Sequence, residues 1–150
     1  MSFRNRIFIF ATPVVLTGVI WHTGINTAVA QDVNPAYASF EKAVLDGRNV
    51  RLTLDLSRCI RSGGEGRGPQ VRGSLRFDAY MILSDQTVAF AKTHFTLRTD
   101  DTAVDEFLSF RVHPNGKVDV RTAFLNPVTF AVIQESQFDC DIGQGATFHW

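Results

Sequence analysis

Apolar and polar residues alternate with a period of two along most of this 150-residue chain. In "NVRLTLDLS", Val50, Leu52, Leu54 and Leu56 alternate with Arg51, Thr53, Asp55 and Ser57. "SLRFDAYMIL" repeats the pattern, with Leu75, Phe77, Ala79, Met81 and Leu83 set against Arg76, Asp78 and Tyr80. Successive strand side chains point to opposite faces, so each stretch predicts a strand with one buried and one wet face. The turn "SDQT" leads into a strand from Val88 to Leu97, and Val104 to Val112 makes another, with Leu108, Phe110 and Val112 on one side. In "HPNGK", Asn115-Gly116 tolerates positive φ and fits a tight hairpin. "KVDVRTAFL" then returns with Val118, Val120 and Phe124 inward. Asn126-Pro127 marks a further turn, and Val128 to Ile133 and Ala146 to Trp150 read as short strands. Strict alternation is the habit of antiparallel sheet. The predicted fold is mainly β, an antiparallel meander of about six to eight strands curled into a half-barrel or small barrel.

One segment has a helical period instead. Asn34 is a good N-cap and Pro35 suits the first helical position, where its missing N–H is no loss. Tyr37, Phe40 and Val44 follow on one stripe, and Gly47 supplies a left-handed stop. The stripe needs a surface to bury against, so this N-terminal helix is expected to pack on the sheet.

The first residues carry a different signal. "MSFRNR" is basic, an apolar stretch runs from Ile7 to about Ile25, and small residues stand at Ala28 and Ala30. This is the layout of a secretory signal peptide, expected to be cleaved after Ala30 to leave one domain over residues 31–150. An uncleaved anchor is the competing reading, but Pro13, Gly18, His22 and Gly24 dilute the apolar stretch. No stable membrane span is expected after cleavage. The whole chain balances 15 Lys and Arg against 15 Asp and Glu, and loss of Arg4 and Arg6 with the leader leaves the remainder slightly acidic. No basic patch interleaves with aromatics, which argues against nucleic acid as a partner.

Export changes the reading of the two cysteines. Cys59 opens "CIRSGGEGRGP" and Cys140 sits in "FDCDIG". Neither has a histidine at zinc-ligand spacing and there is no CxxC, so a metal site or a thioredoxin-like role lacks its pattern. An even count in an oxidising compartment favours a disulfide, and Cys59–Cys140 is the expected bridge. No cofactor is expected.

Five stretches, "DGRNVRLTLDLSRC", "GSLRFDAYMI", "AFAKTHFTL", "FRVHPNGKVDVRTAFLNP" and "FDCDIGQGATFHW", together resemble the VirK family of small exported bacterial proteins. The resemblance runs from about Phe40 to Trp150 and rests on the order and spacing of the five rather than on any one of them. It implies a periplasmic or secreted bacterial protein linked to virulence in host-associated bacteria. It carries no catalytic residue across.

Three groups of side chains stand out as candidate chemistry. His94, in register with Phe90 and Lys92, is either a general base or ligand contact at a cleft or a residue of the wet face. Arg76, Asp78 and Tyr80 share one face of their predicted strand, a polar floor for a ligand if the sheet curls over them and a solvated row otherwise. Arg61 and Arg67, with Arg58 and Arg72, surround the loop "SGGEGRGP", where an acidic partner surface or glycan phosphate would dock. That loop lacks the Lys-Ser/Thr ending of a P-loop and precedes no helix. The ending "GATFHW" is like the last strand of an outer-membrane barrel, but charges interrupt both faces of several strands. No Gly-x-Ser-x-Gly, His-Glu-x-x-His or framed carboxylate pair is present. The sequence therefore favours a non-catalytic envelope protein that binds a ligand or an envelope or host component. An envelope hydrolase using His94 with Asp78 or Tyr80, and a secreted lectin-like effector, are the alternatives.

Overall fold

The computed structural model describes residues 32–64 and 66–150, so the expected leader lies outside the described residues. Helix α1 spans Pro35–Leu45. The Asn34 side chain caps its start by accepting from the Ala36 and Tyr37 amides. Its end is a paired C-terminal motif around Gly47 at φ 67°, in which the Gly47 amide bonds Val44 and the Arg48 amide bonds Ala43. Tyr37, Phe40, Ala43 and Val44 form its buried stripe.

Among the described residues nine strands follow: β1 (Arg51–Asp55), β2 (Ile60–Arg61), β3 (Arg72–Arg76), β4 (Met81–Ile82), β5 (Val88–Leu97), β6 (Ala103–Val112), β7 (Lys117–Leu125), β8 (Val132–Ile142) and β9 (Gly145–His149). They form a half-barrel in the order β3-β1-β9-β8-β7-β6-β5-β4, with β2 pairing onto β8. From β4 to β8 the sheet is the expected meander. The remainder is not, because β1 lies between β3 and the last strand, β9. Nor is the sheet wholly antiparallel. At the corner through Gly143 and Gly145 the end of β8 and the start of β9 make two parallel pairs, Asp141 with Gly145 and Ile142 with Ala146.

Three boundaries depart from the sequence reading. The predicted strand over Leu75 to Leu83 divides into β3 and β4, which are opposite edges of the sheet, so residues 77–80 must cross the mouth of the half-barrel between them. Phe77 turns inward on that crossing, whereas Met81 is exposed. Leu56–Arg58 forms a 3-10 turn rather than continuing β1. The segment expected as a short strand over Val128 to Ile133 is turn and irregular chain as far as Ala131, and the strand proper is the 11-residue β8 that begins at Val132.

Aromatic rings fill one end of the concave face. Phe77 stacks on Phe90 at 3.8 Å, Phe90 on Phe110 at 4.8 Å, and Phe40 from the helix meets Phe148 at 4.1 Å. The helix thus plugs this end. The Tyr37 hydroxyl donates to the Gln86 carbonyl beside Glu41, and burial together with that carboxylate pushes its pKa well up. Cys59 and Cys140 are buried and form the expected disulfide. No helix among the described residues is long and apolar enough to cross a membrane.

Candidate functional site

The concave face changes character along its strands. On β5, Phe90 belongs to the aromatic plug, and the next residues on that face are Lys92 and His94. On β6, Phe110 and Leu108 are followed by Glu106, and on β7 Val120 is followed by Thr122 and Phe124. Register then places Lys92 beside Leu108, His94 beside Glu106 and Leu108 beside Thr122. Nothing from the helix reaches this far. What remains is a cleft of about 460 Å³ between β3 and β5, with Leu54, Leu56, Leu75 and Leu108 as its apolar wall. A second lobe of about 390 Å³ shares Leu56, Val71, Glu106 and Thr122 and extends the cleft to Arg61, Phe124 and Phe138.

The central polar feature is an imidazole–carboxylate pair. His94 Nε2 lies 3.2 Å from Glu106 Oε2, and the two side chains are 46% and 24% exposed. Lys92 Nζ lies 3.5 Å from Asp78. In the second lobe the Arg61 guanidinium sits 5.6 Å over the Phe138 ring and Arg98 sits 5.7 Å over Phe124. The arrangement offers an apolar trough with cations and one carboxylate at defined points along it. That suits a molecule with an apolar body and a polar end.

The candidates from sequence are partly brought together and partly separated. His94 is on the cleft side of β5, not its convex side. Its partner is Glu106, while Asp78 meets Lys92 and the Tyr80 hydroxyl donates to the Val44 carbonyl at the helix end, 3.3 Å away. Arg76, Asp78 and Tyr80 do not share a strand face, because β3 stops at Arg76. All three instead border a shallow hollow beside the helix C-terminus. The arginine cluster also disperses. Arg72 pairs with Asp55 at 2.8 Å, Arg61 reaches the cleft, and Arg67 is exposed on the loop, held by a backbone bridge to Ile60. Gly68 is the fixed point of that loop, since a Cβ there would strike the Leu56 carbonyl.

Glu106 is the cleft residue that the sequence reading missed. Its signal was present: it continues the inward series of Leu108, Phe110 and Val112, and a charge on the apolar face of a strand marks where that face stops being core. Both cysteines are bridged, so no thiol nucleophile stands near His94. Among the described residues no cluster of His, Cys, Asp or Glu has the grouping of a metal site.

A family model described as VirK protein matches residues 33–130. The chain is 31% identical over 134 residues to the uncharacterized protein y4wH of Sinorhizobium fredii, a match spanning 89% of this chain and 92% of that protein. It is 30% identical over 135 residues to an uncharacterized protein in the pinF2 3′ region of Rhizobium radiobacter, over 89% of this chain and 93% of the other. The crystal structure of a VirK family protein from Legionella pneumophila superposes with a TM-score of 0.66 at 20% identity, over 76% of this chain and 95% of that one. At that identity the likeness is one of fold.

Proposed function

The chain belongs to the VirK family, and on that footing we propose that it is an exported, non-catalytic binding module of the bacterial envelope, with the cleft as its ligand site. The observation that carries this reading is the cleft itself: a cavity of about 460 Å³ walled by Leu54, Leu56, Leu75 and Leu108, with His94 and Glu106 paired at its lining. A concave, mostly apolar cavity with a few convergent polar groups is the usual arrangement of a site for a small molecule. The bridge between Cys59 and Cys140 supports a non-cytoplasmic location, periplasmic or secreted. A part in host interaction is proposed from the family resemblance.

The ligand class that fits is a small amphipathic molecule. Its apolar body would lie along Leu54, Leu56, Leu75 and Leu108, and its polar end would meet Lys92, His94 and Glu106. Gly73 gives a direct test. It pairs with the buried Leu54, so its missing side chain would point into the cleft, and a Cβ built there meets nothing within 4 Å. Gly73→Leu should block the cleft while leaving stability unchanged or slightly raised, since glycine weakens a strand interior. Protein purified from the envelope of its own host should retain a small molecule in native mass spectra, and Gly73→Leu should lose it. Retention of the same ligand by Gly73→Leu would remove the cleft from consideration.

The His94–Glu106 pair also keeps an envelope hydrolase as the second reading, with the carboxylate orienting the imidazole as a base. Turnover that disappears in His94→Ala while the fold is intact would favour the enzyme. Ligand retention without turnover favours the binding module.

A further inference from the structure

Three basic side chains lie in one row across three neighbouring strands, on the convex side of β1, with Arg76 on the edge strand bordering the cleft as well. Arg51 of β1 is in register with Arg76 of β3 on one side and with His149 of β9 on the other. Residues directly opposite in antiparallel strands share a face, with Cβ atoms about 4.5–5.5 Å apart, and like charges in that relation are destabilising. The next residue of β1, Leu52, is fully buried, so Arg51 points away from the core and Arg76 and His149 with it.

The row differs from its neighbours in that Arg51 faces a basic residue on both sides. Two pairs along on the same face Arg72 is matched by Asp55 at 2.8 Å, and elsewhere Arg121 is matched by Glu135 at 2.7 Å and Lys117 by Asp141 at 2.6 Å. Arg51, Arg76 and His149 have no carboxylate within ion-pairing distance among the described residues. They border a hollow of about 490 Å³ whose other walls are Asn49, Thr53, Ser74 and Trp150, with no acidic side chain. Thr53 and Ser74 are themselves a register pair, so their hydroxyls stand beside the guanidinium pair.

We propose that this hollow binds a phosphate-type oxyanion, held by the Arg51 and Arg76 guanidinium groups with His149 and the Thr53 and Ser74 hydroxyls as further donors. Two guanidinium forks side by side match the geometry of a phosphate or sulfate group, and a bound dianion reverses the sign of the cross-strand term. The site does not depend on the cleft reading.

The test uses the folded, bridged protein and inorganic phosphate, titrated against chloride at constant ionic strength. Melting temperature should rise saturably, with amide shifts gathered at Thr53, Ser74 and His149. Arg51→Gln and Arg76→Gln should each weaken binding roughly tenfold or more. In phosphate-free buffer both should melt at or above the wild type, because their mutual repulsion is gone; this separates lost binding from lost fold. A non-saturating rise, equal in the wild type and both variants, is the general effect of an excluded anion on folded proteins and would overturn the proposal. Two further arms separate the sources of phosphate. Arg76-dependent binding of a hexose 6-phosphate assigns a soluble phosphate ester, and Arg76-dependent binding only of phosphatidate vesicles assigns a lipid headgroup. Absence of Arg76-dependent binding to phosphate, ester and vesicle alike sinks the site.

Discussion

Asp55 shows how much one side chain can hold together. Its Oδ1 accepts from the Ser57 amide at 3.2 Å and the Ser57 hydroxyl at 2.5 Å, and its Oδ2 accepts from Arg72 Nε at 2.8 Å. These bonds turn the chain from β1 into the 3-10 turn that delivers Cys59 to its partner, and they fix edge strand β3 at the same time. The Ser57 hydroxyl, and after it the Arg72 guanidinium, hold the Asp55 carboxyl below its ordinary pKa of 3.8. A carboxyl with a depressed folded pKa contributes stability that is complete above the unfolded value and is lost as pH falls through the folded one. Asp55→Asn should therefore melt lower than the wild type at neutral pH. The gap should narrow once the pH drops below 3.8. A gap that stays constant across that range would mean that Asp55 acts through shape and not through its charge. At this scale the sequence was informative about which face a residue takes and poor on its neighbours. Alternation put His94 in line with Phe90, but its partner Glu106 stands on another strand, and only register could join the two.

Elements were legible where local chemistry decides them and illegible where distant pairing does. The helix begins and ends at the residues its caps name, because Asn34, Pro35 and Gly47 act within a turn of themselves. Strand β8 was mostly missed, since Gln134, Glu135, Ser136 and Gln137 have little strand preference, and the strand is sustained by pairing along β7. The hairpins were located correctly, and at Asn115-Gly116 only the glycine takes the positive φ. After β4, β5 and β6 the chain makes the same short connection, with a single left-handed residue just before the returning strand: Gln86 at φ 67°, Asp101 at φ 59° and Gly116 at φ 84°. This is the turn with a glycine-type bulge, which asks for one left-handed residue rather than two. Holding a non-glycine residue there costs about 1–2 kcal/mol, and glycine returns part of that as chain entropy. Gln86→Gly should then stabilise the protein by roughly 0.5–1 kcal/mol, since the Tyr37 hydroxyl bonds the Gln86 carbonyl and not its side chain. Gly116→Ala should do the opposite and by more, because its Cβ would also meet Asn34 Nδ2 at 2.5 Å. Chemical denaturation of the two variants beside the wild type decides both; a destabilised Gln86→Gly would show that the side chain has a role the turn geometry does not reveal.

At the scale of the whole molecule the sheet is held by pairings between the two ends of the chain, which no local pattern reports. Strand β1 lies between β3 and the final strand β9, so the first and last strands zip together and only the middle of the fold is a meander. The Cys59–Cys140 bridge stands at this seam, joining residues 81 apart in sequence at the corner between β8 and β9. Gly145 turns that corner, and a Cβ on it would come within 2.5 Å of the Cys59 sulfur, so the turn and the bridge are built around each other. Closing a loop of this length removes about 4–5 kcal/mol of entropy from the unfolded chain in the entropic model. The ends of the sheet have long-range contacts to form and little local structure to guide them, so the bridge acts where loop closure is most costly. Cys59→Ser should lower the melting temperature by on the order of ten to twenty degrees, and a reductant should produce a similar fall in the wild type while leaving the variant unmoved. The fall should be accompanied by faster amide exchange in β1 and β9 than in the β5–β6–β7 meander, because the seam would open before the strands that pair with their chain neighbours. Equal loss of protection across the sheet would mean that the bridge stabilises the domain as one unit, with no seam to open first.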